Sequence, residues 1–285
     1  MKTEKYLVTK KINLKDFSTK CEENLERDEV ENKLMPENLK LMEKYQDKLY
    51  AESKQGLLIV IQAMDTAGKD GLIRHVMTSF NPQGVYVATF KVPSTVELAH
   101  DYLWRVHQFA PRRGGITIFN RSHYEDVIIA RVHNLVKNQN LPDRMKSKNI
   151  WDERYEQIRN YEKYLNDNGI EVVKFFLHIS KEEQKERLLA RIDKPEKNWK
   201  FSGGDIEERA FWDDYQKAYE KAINETSTKH SRWYIIPSDQ KWFSRYLVSE
   251  IVVETFKEMN PQFPTLPKEK LAQLQEWKEM LLNEK

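Results

Sequence analysis

Cysteine is all but missing: Cys21 is the single thiol in 285 residues. No internal disulfide can form, and Cys21 reads as a residue with no role of its own. An excess of one charge sign is missing too, since 47 Lys and Arg nearly balance 45 Asp and Glu, for a net charge of +2. Whole-chain charge therefore announces no polyanion, and any such partner must be met by a local cluster of cations. No apolar run reaches ~18 residues and no signal-type stretch stands at the N-terminus, so a cytoplasmic protein with no membrane partner is expected. Internal repeats and low-complexity tracts are absent. So is any evident Ser-His or Cys-His dyad, and His123 and His133 lack the His-Glu-x-x-His spacing of a zinc site. What is there is a normal core under a wet surface: 39% hydrophobic residues and 7 Trp against 32% charged residues and a mean hydropathy of −0.78. That content argues against disorder.

The chain alternates in pattern. Residues 1–35 are polar and charged. Pro36 opens a helical pattern with Leu39, Met42, Tyr45 and Leu49 on one face, and Gly56 ends it. Five apolar, partly β-branched runs follow: Leu57–Ala63, Val85–Phe90, Ile116–Phe119, Val172–Ile179 and Trp233–Pro237. Helical periodicities separate them. One runs from Leu72 to Phe80, one from Leu98 to Phe109, and one from Trp151 to Leu165. Ser180 with Glu183, and Asp205 with Glu208, have the spacing of capping boxes, and Ser238 suits a further N-cap. Strands alternating with helices predict an α/β fold: a parallel five-stranded sheet with helices on both faces. Pro261, Pro264 and Pro267 mark a linker to an amphipathic helix over Leu271–Leu282. The expected division is a helical extension over 1–55, a catalytic domain over 56–258 with a lid at about 187–204, and a linker and helix over 259–285. In such sheets ligands bind beyond the carboxyl ends of the strands.

The first run leads straight into Met64-Asp65-Thr66-Ala67-Gly68-Lys69-Asp70-Gly71, and a helix follows. Strand, tight loop, Gly-Lys and helix make the context of a P-loop. Small residues let the backbone N–H groups of Ala67, Gly68, Lys69, Asp70 and Gly71 turn toward phosphate oxygens, and the helix N-terminus adds a favourable dipole. Lys69 supplies a mobile point charge for terminal phosphates. Ala63 stands where the first Gly of the usual pattern would be, and Asp70 where a metal-binding hydroxyl would be. Two carboxylates, Asp65 and Asp70, thus flank a phosphate site. They repel phosphate unless a divalent cation intervenes, which implies Mg²⁺ with Asp65 as the preferred ligand.

The third run ends in Asn120-Arg121-Ser122-His123-Tyr124-Glu125-Asp126. Asn120 offers only a neutral oxygen to a metal, whereas Glu125 and Asp126 offer carboxylates, and Arg121 a fork of donors for phosphate. Farther on, the segment from Arg187 through Arg191, Lys194, Lys197 and Lys200 to Gly203-Gly204 has the composition of a closing lid whose cations neutralise phosphate. Arg74, His75, Arg112, Arg113 and Arg131 are candidates for lining a basic groove.

Taken together, Ala63–Gly71, Phe119–Asp126, Arg191–Ser202, Trp212–Tyr215, Asn224–Thr228 and Trp233–Phe243 resemble the polyphosphate kinase 2 family, over about residues 30–258. The resemblance implies a thymidylate-kinase-like (P-loop kinase) fold with a helical lid, and phosphoryl transfer between inorganic polyphosphate and adenine nucleotides with Mg²⁺ or Mn²⁺. It implies that Asp65 organises metal and phosphate, that Lys69 grips phosphate, and that Arg121 and Arg191 are catalytic. Phosphate contacts are expected from Arg74, Arg121, Arg187 and Lys194 besides the loop. Asn120, together with Gly-Lys-Asp-Gly in the loop, looks like the branch accepting both AMP and ADP. A homo-oligomer is expected, and no nucleic-acid partner. Two other readings share some of these residues: an ATP-dependent nucleoside monophosphate kinase, and a polyanion-binding scaffold without catalysis.

Overall fold

The computed structural model describes residues 3–284. Gly56–Ala63 (β1), Val85–Thr89 (β2), Ile116–Asn120 (β3), Ile170–His178 (β4) and Ser231–Pro237 (β5) form one sheet in the order β2-β3-β1-β4-β5, every pair parallel. Each strand lies within two residues of the run that predicted it. β1 is buried along its whole length, as a central parallel strand covered on both faces must be.

The helices are α1 (Arg27–Glu29), α2 (Met35–Glu52), α3 (Lys69–Val76), α4 (Thr95–Leu98), α5 (Trp104–His107), α6 (Ile129–Val132), α7 (Ile150–Asp167), α8 (Lys181–Asp193), α9 (Gly204–Ala210), α10 (Trp212–Thr226), α11 (Lys241–Met259) and α12 (Lys268–Leu282). α2, α3 and α11 pack together in one layer, and α6, α7 and α10 in another. α11 is apolar around most of its circumference, with Phe243, Leu247, Val248, Ile251, Val252 and Phe256 fully buried, because it is wedged between sheet and α2.

Several local expectations give way to tertiary structure. The first helix starts at Arg27 rather than at Pro36 and reaches α2 through a π-turn over Val30–Leu34. In that turn the Met35 N–H skips to the Val30 carbonyl, which accommodates a proline lacking an N–H of its own. Residues 3–26 contain no α-helix. They wrap β5 and α10, with Ile12 N–H donating to Asn224 Oδ1, Leu14 N–H to Glu220 Oε2, and Val8 N–H to the Trp233 carbonyl. The helix expected over 98–109 splits into α4 and α5 because the Asp101 carboxylate accepts the N–H groups of Leu103 and Trp104 and starts a new turn. Ser180 caps α8 through the Glu183 N–H, but the Glu183 carboxylate turns to Arg187, so only half a box forms. Asp205 lies inside α9 and pairs with Arg191, and Ser238 donates to the Ile236 carbonyl instead of capping α11.

β1 connects outward to β2, and β3 crosses back over β1 to reach β4. The sheet thus reverses its winding beside β1 and β3, where a crevice opens at their carboxyl ends. Ile61 of β1 registers with Asn120 of β3, which sets the loop after Ala63 next to the loop after Asn120.

Candidate active site

The loop after β1 enters α3 through Gly68, whose φ of 112° lies in the left-handed region and which gives α3 no side-chain cap. The first N–H groups of α3 are therefore left for an anion. Lys69 Nζ bends back over the loop to the carbonyls of Ala63 (3.0 Å) and Met64 (3.5 Å). Burial lowers its pKa, and the nearby Arg121 guanidinium lowers it further, against the opposing pull of Asp65, Glu125 and Asp70.

The loop after β3 meets this mouth. Arg121 has a φ of 64°, uncommon for a residue with a side chain, and its N–H donates to the Ile61 carbonyl of β1. Its guanidinium reaches Asp65 Oδ1 at 3.0 Å and Glu125 Oε2 at 3.4 Å. Burial disfavours the Arg121 charge, yet Glu125 and Asp65 outweigh it and raise the pKa. Directly behind, His123 and Tyr124 are buried in a polar network. Lys174 donates to Glu162 Oε2 (2.6 Å), to the Tyr124 hydroxyl (2.9 Å) and to the Thr226 carbonyl (2.8 Å), while His123 Nε2 lies 3.3 Å from Glu162 Oε1. The network pins the strained loop to β4, α7 and α10, so His123 has a structural place.

A cavity of about 230 Å³ lies between the two loops and the α8–α9 hairpin. Asp65, Glu125, Asp205 and Glu208 line it, against Arg121 and Arg209, with Gln184, Tyr215 and Tyr219 completing the wall. The carboxylates outnumber the guanidiniums at a mouth whose backbone N–H groups favour anions. A divalent cation between carboxylate and phosphate would reconcile the two tendencies. Asp65 uses Oδ1 for Arg121, leaving Oδ2 to a cation. Among the described residues no group of three acidic, His or Cys side chains could hold a metal alone. The donor set thus fits Mg²⁺, which takes one or two carboxylates and completes its shell with water and substrate phosphate.

The structure separates other candidates from this site. Asp126 turns to the far side of its loop. Its backbone carbonyl accepts from Arg154 Nη1 at 2.7 Å, and it lines a second cavity of about 220 Å³ with Tyr102, Arg105, Gln139 and Arg154. Burial pushes its pKa up to about 6, against Arg154. Asn120 donates to Asp70 Oδ1 at 3.0 Å, so it presents its amide nitrogen to α3. Arg187 is not free for phosphate, because all five of its guanidinium N–H donors are taken by Glu183, Thr66, Ala67, Ser238 and Asp239. Arg191 binds the Lys200 carbonyl and Asp205 within the lid, and Lys194 and Arg74 are exposed. Arg112 and Arg113 precede β3 and so lie at the opposite end of the sheet, with Arg112 over the Tyr50 ring, and Arg131 is engaged by Tyr155.

Sequence reasoning missed Gln184, Glu208, Arg209, Tyr215 and Tyr219 as cavity residues. Tyr219 donates to the Ala63 carbonyl at 2.9 Å, and Arg209 holds Gln184 Oε1 at 2.7 Å while Gln184 holds the Asp65 carbonyl. Their helical spacing read as ordinary core and surface. The signal available was the cluster of charge in Glu207-Glu208-Arg209 at the foot of the lid.

The sequence model of the polyphosphate kinase 2 family matches residues 24–264. An AMP/ADP-polyphosphate phosphotransferase of Meiothermus ruber is 53% identical over 223 residues, 78% of this chain and 80% of that protein. An ADP-polyphosphate phosphotransferase of Rhodopseudomonas palustris is 44% identical over 274 residues, 95% of each. The crystal structure of polyphosphate kinase 2 from Arthrobacter aurescens TC1 superposes with a TM-score of 0.87 at 34% identity, covering 96% of both chains.

Proposed function

The chain belongs to the polyphosphate kinase 2 family, and we propose that it transfers phosphoryl groups between inorganic polyphosphate and AMP or ADP with Mg²⁺. The observation that carries this is the meeting of Asp65, Arg121 and Glu125 beside an uncapped, glycine-entered helix N-terminus. In the synthetic direction a terminal phosphate oxygen of the nucleotide attacks the last phosphorus of the polyphosphate. The bond to the next bridging oxygen breaks, and the shortened chain leaves with that electron pair. The attacking oxygen is already ionised at neutral pH, so no general base is needed. The obstacle is repulsion between two polyanions, and positioning and charge neutralisation remove it.

In this reading the loop N–H groups of 68–71 and Lys69 hold donor phosphates, while the Ala67 N–H is spent on the Met64 carbonyl, and Arg121 spans donor and acceptor. Asp65, with Glu125 beside it, would hold Mg²⁺ or Mn²⁺, which when bound supplies charge neutralisation between the phosphates. Arg191 and Lys194 travel with the α8–α9 lid. The second cavity, separated from the first by one turn of chain at Glu125–Asp126, has the amides and apolar walls suited to a nucleoside. Acceptance of both AMP and ADP rests on the neutral Asn120 and on the relative of highest identity named above. The protein works in the cytoplasm and self-associates in this proposal.

Incubation with polyphosphate, ADP and Mg²⁺, without added ATP, should form ATP. Asp65→Asn should lose this activity more than Asp70→Asn across a Mg²⁺ titration, because Asp65 faces the cavity and Asp70 is tied to Asn120. Equal loss would remove Asp65 from the metal's shell, and ATP formed from ADP equally well without polyphosphate, with AMP appearing beside it, would favour a nucleoside monophosphate kinase.

A further inference from the structure

Arg187 sits at 8% exposure on the sheet-facing side of α8, the helix that carries the lid. Its Nε donates to Glu183 Oε1 (2.7 Å), one turn back on the same helix. Nη1 donates to the carbonyls of Thr66 (3.1 Å) and Ala67 (2.9 Å) in the loop after β1. Nη2 donates to the carbonyls of Ser238 (2.6 Å) and Asp239 (3.1 Å) after β5. One planar cation thus joins the phosphate loop, the end of β5 and the lid helix.

The orientation of those carbonyls matters. Across a trans peptide the C=O and the following N–H point in opposite directions. Holding the Ala67 carbonyl against Arg187 turns the Gly68 N–H away from it, toward the side where an anion would sit at the head of α3. Holding the Thr66 carbonyl likewise fixes the Ala67 N–H, which donates to the Met64 carbonyl at 3.3 Å and closes the turn. Gly68 takes its left-handed φ of 112° freely, but Thr66 is β-branched and has a φ of 65°, a conformation it does not adopt unaided. A flipped peptide would aim a carbonyl dipole at phosphate. The other end of the brace is itself anchored, because Asp239 accepts from the Ser180 N–H and from Thr19 Oγ1, both at 2.8 Å.

We infer that Arg187 is a positioning residue: it does not touch phosphate but locks the peptide planes at 66–68 so that the turn stays closed and the Gly68 N–H faces the phosphate cradle, and it couples that cradle to the base of the lid. The inference rests on the reading of residues 63–71 as a phosphate loop. Lysine cannot replace it, since an ammonium donates from one atom and cannot span two carbonyl pairs.

The test uses the full chain with Arg187→Lys and Arg187→Ala. Amide hydrogen exchange without ligand should be at least ~10-fold faster at the bonded amides of Ala67 and Leu72 in both variants, with β1 and β4 unchanged. With polyphosphate and ADP, the KM for polyphosphate should rise at least ~10-fold in Arg187→Ala while the KM for ADP moves less than ~twofold. Guanidinium chloride at tens of millimolar should restore part of that loss, and ammonium chloride should not. Unchanged loop exchange in both folded variants, or wild-type kinetics in Arg187→Lys, would overturn the inference. If wild type fails to use polyphosphate, the phosphotransfer reading falls, and loop exchange still judges the brace.

Discussion

Lys69 and Asp126 show how far position outweighs residue type at this site. Lys69 stands at the entrance of α3 with its ammonium over the loop and its charge disfavoured by burial, so an incoming phosphate relieves it. Lys69→Ala is expected to lower turnover at least ~100-fold, the loss of a charge contact commonly worth ~3 kcal/mol, with little change in melting temperature. Steady-state rates beside a melting curve check this, and near-normal turnover in the folded variant would remove Lys69 from the mechanism. Asp126, next to a cavity carboxylate in sequence, faces the other way and is pushed from 3.8 up to about 6 by burial. Between those values the folded protein binds a proton that the unfolded chain has lost. This group therefore lowers stability as pH rises from 3.8 to 6, and the penalty persists above 6. Asp126→Asn removes the titration. Relative to that variant, wild type should gain about 1 kcal/mol on going from pH 6 to pH 5, roughly 2 °C in melting temperature. A constant gap between the two melting curves would show that Asp126 ionises normally.

Strands, helices and loops were legible to different degrees. Five parallel strands could be read because each is a continuous apolar run; β1 is the extreme case, buried throughout, whereas the edge strand β2 is mostly exposed. Helix starts were less legible. Asp205 and Glu208 have capping chemistry, yet Arg191 and His133 claim them through tertiary contacts that no local pattern encodes, and Ser238 turns back to the Ile236 carbonyl two residues before it. The strand, glycine-entered turn and helix over 56–76 were legible from the sequence, whereas the turning of Asp126 away from Glu125 depends on Arg154, which lies 28 residues on. Arg187 was legible as a cation but not as a brace, since its partners come from three separate segments. α12 was legible from periodicity, but all of its residues are exposed in the structure, including Leu271, Leu274 and Trp277. Deleting residues 268–285 should therefore move the melting temperature by less than ~2 °C, because no core is lost. A drop several times larger would mean that this helix buries its apolar face against another copy of the chain.

Across the whole molecule, the sheet's reversal between β1 and β3 places two loops and a lid around one crevice, and the charge of that crevice differs from the charge of the protein. A nearly neutral chain concentrates carboxylates where Mg²⁺ is expected and N–H groups where phosphate is expected. Asn120 keeps the strand end at the proposed site free of a negative charge and spends its amide on Asp70, so under the proposed reading the acceptor's own phosphate count should matter less. The measurement that tests this account most directly is a time course begun with AMP, long-chain polyphosphate and Mg²⁺, with no ATP present, separated by chromatography. ADP should appear first and ATP later, both at the expense of polyphosphate. If neither nucleotide forms without added ATP, polyphosphate is not the phosphoryl donor and the account is contradicted.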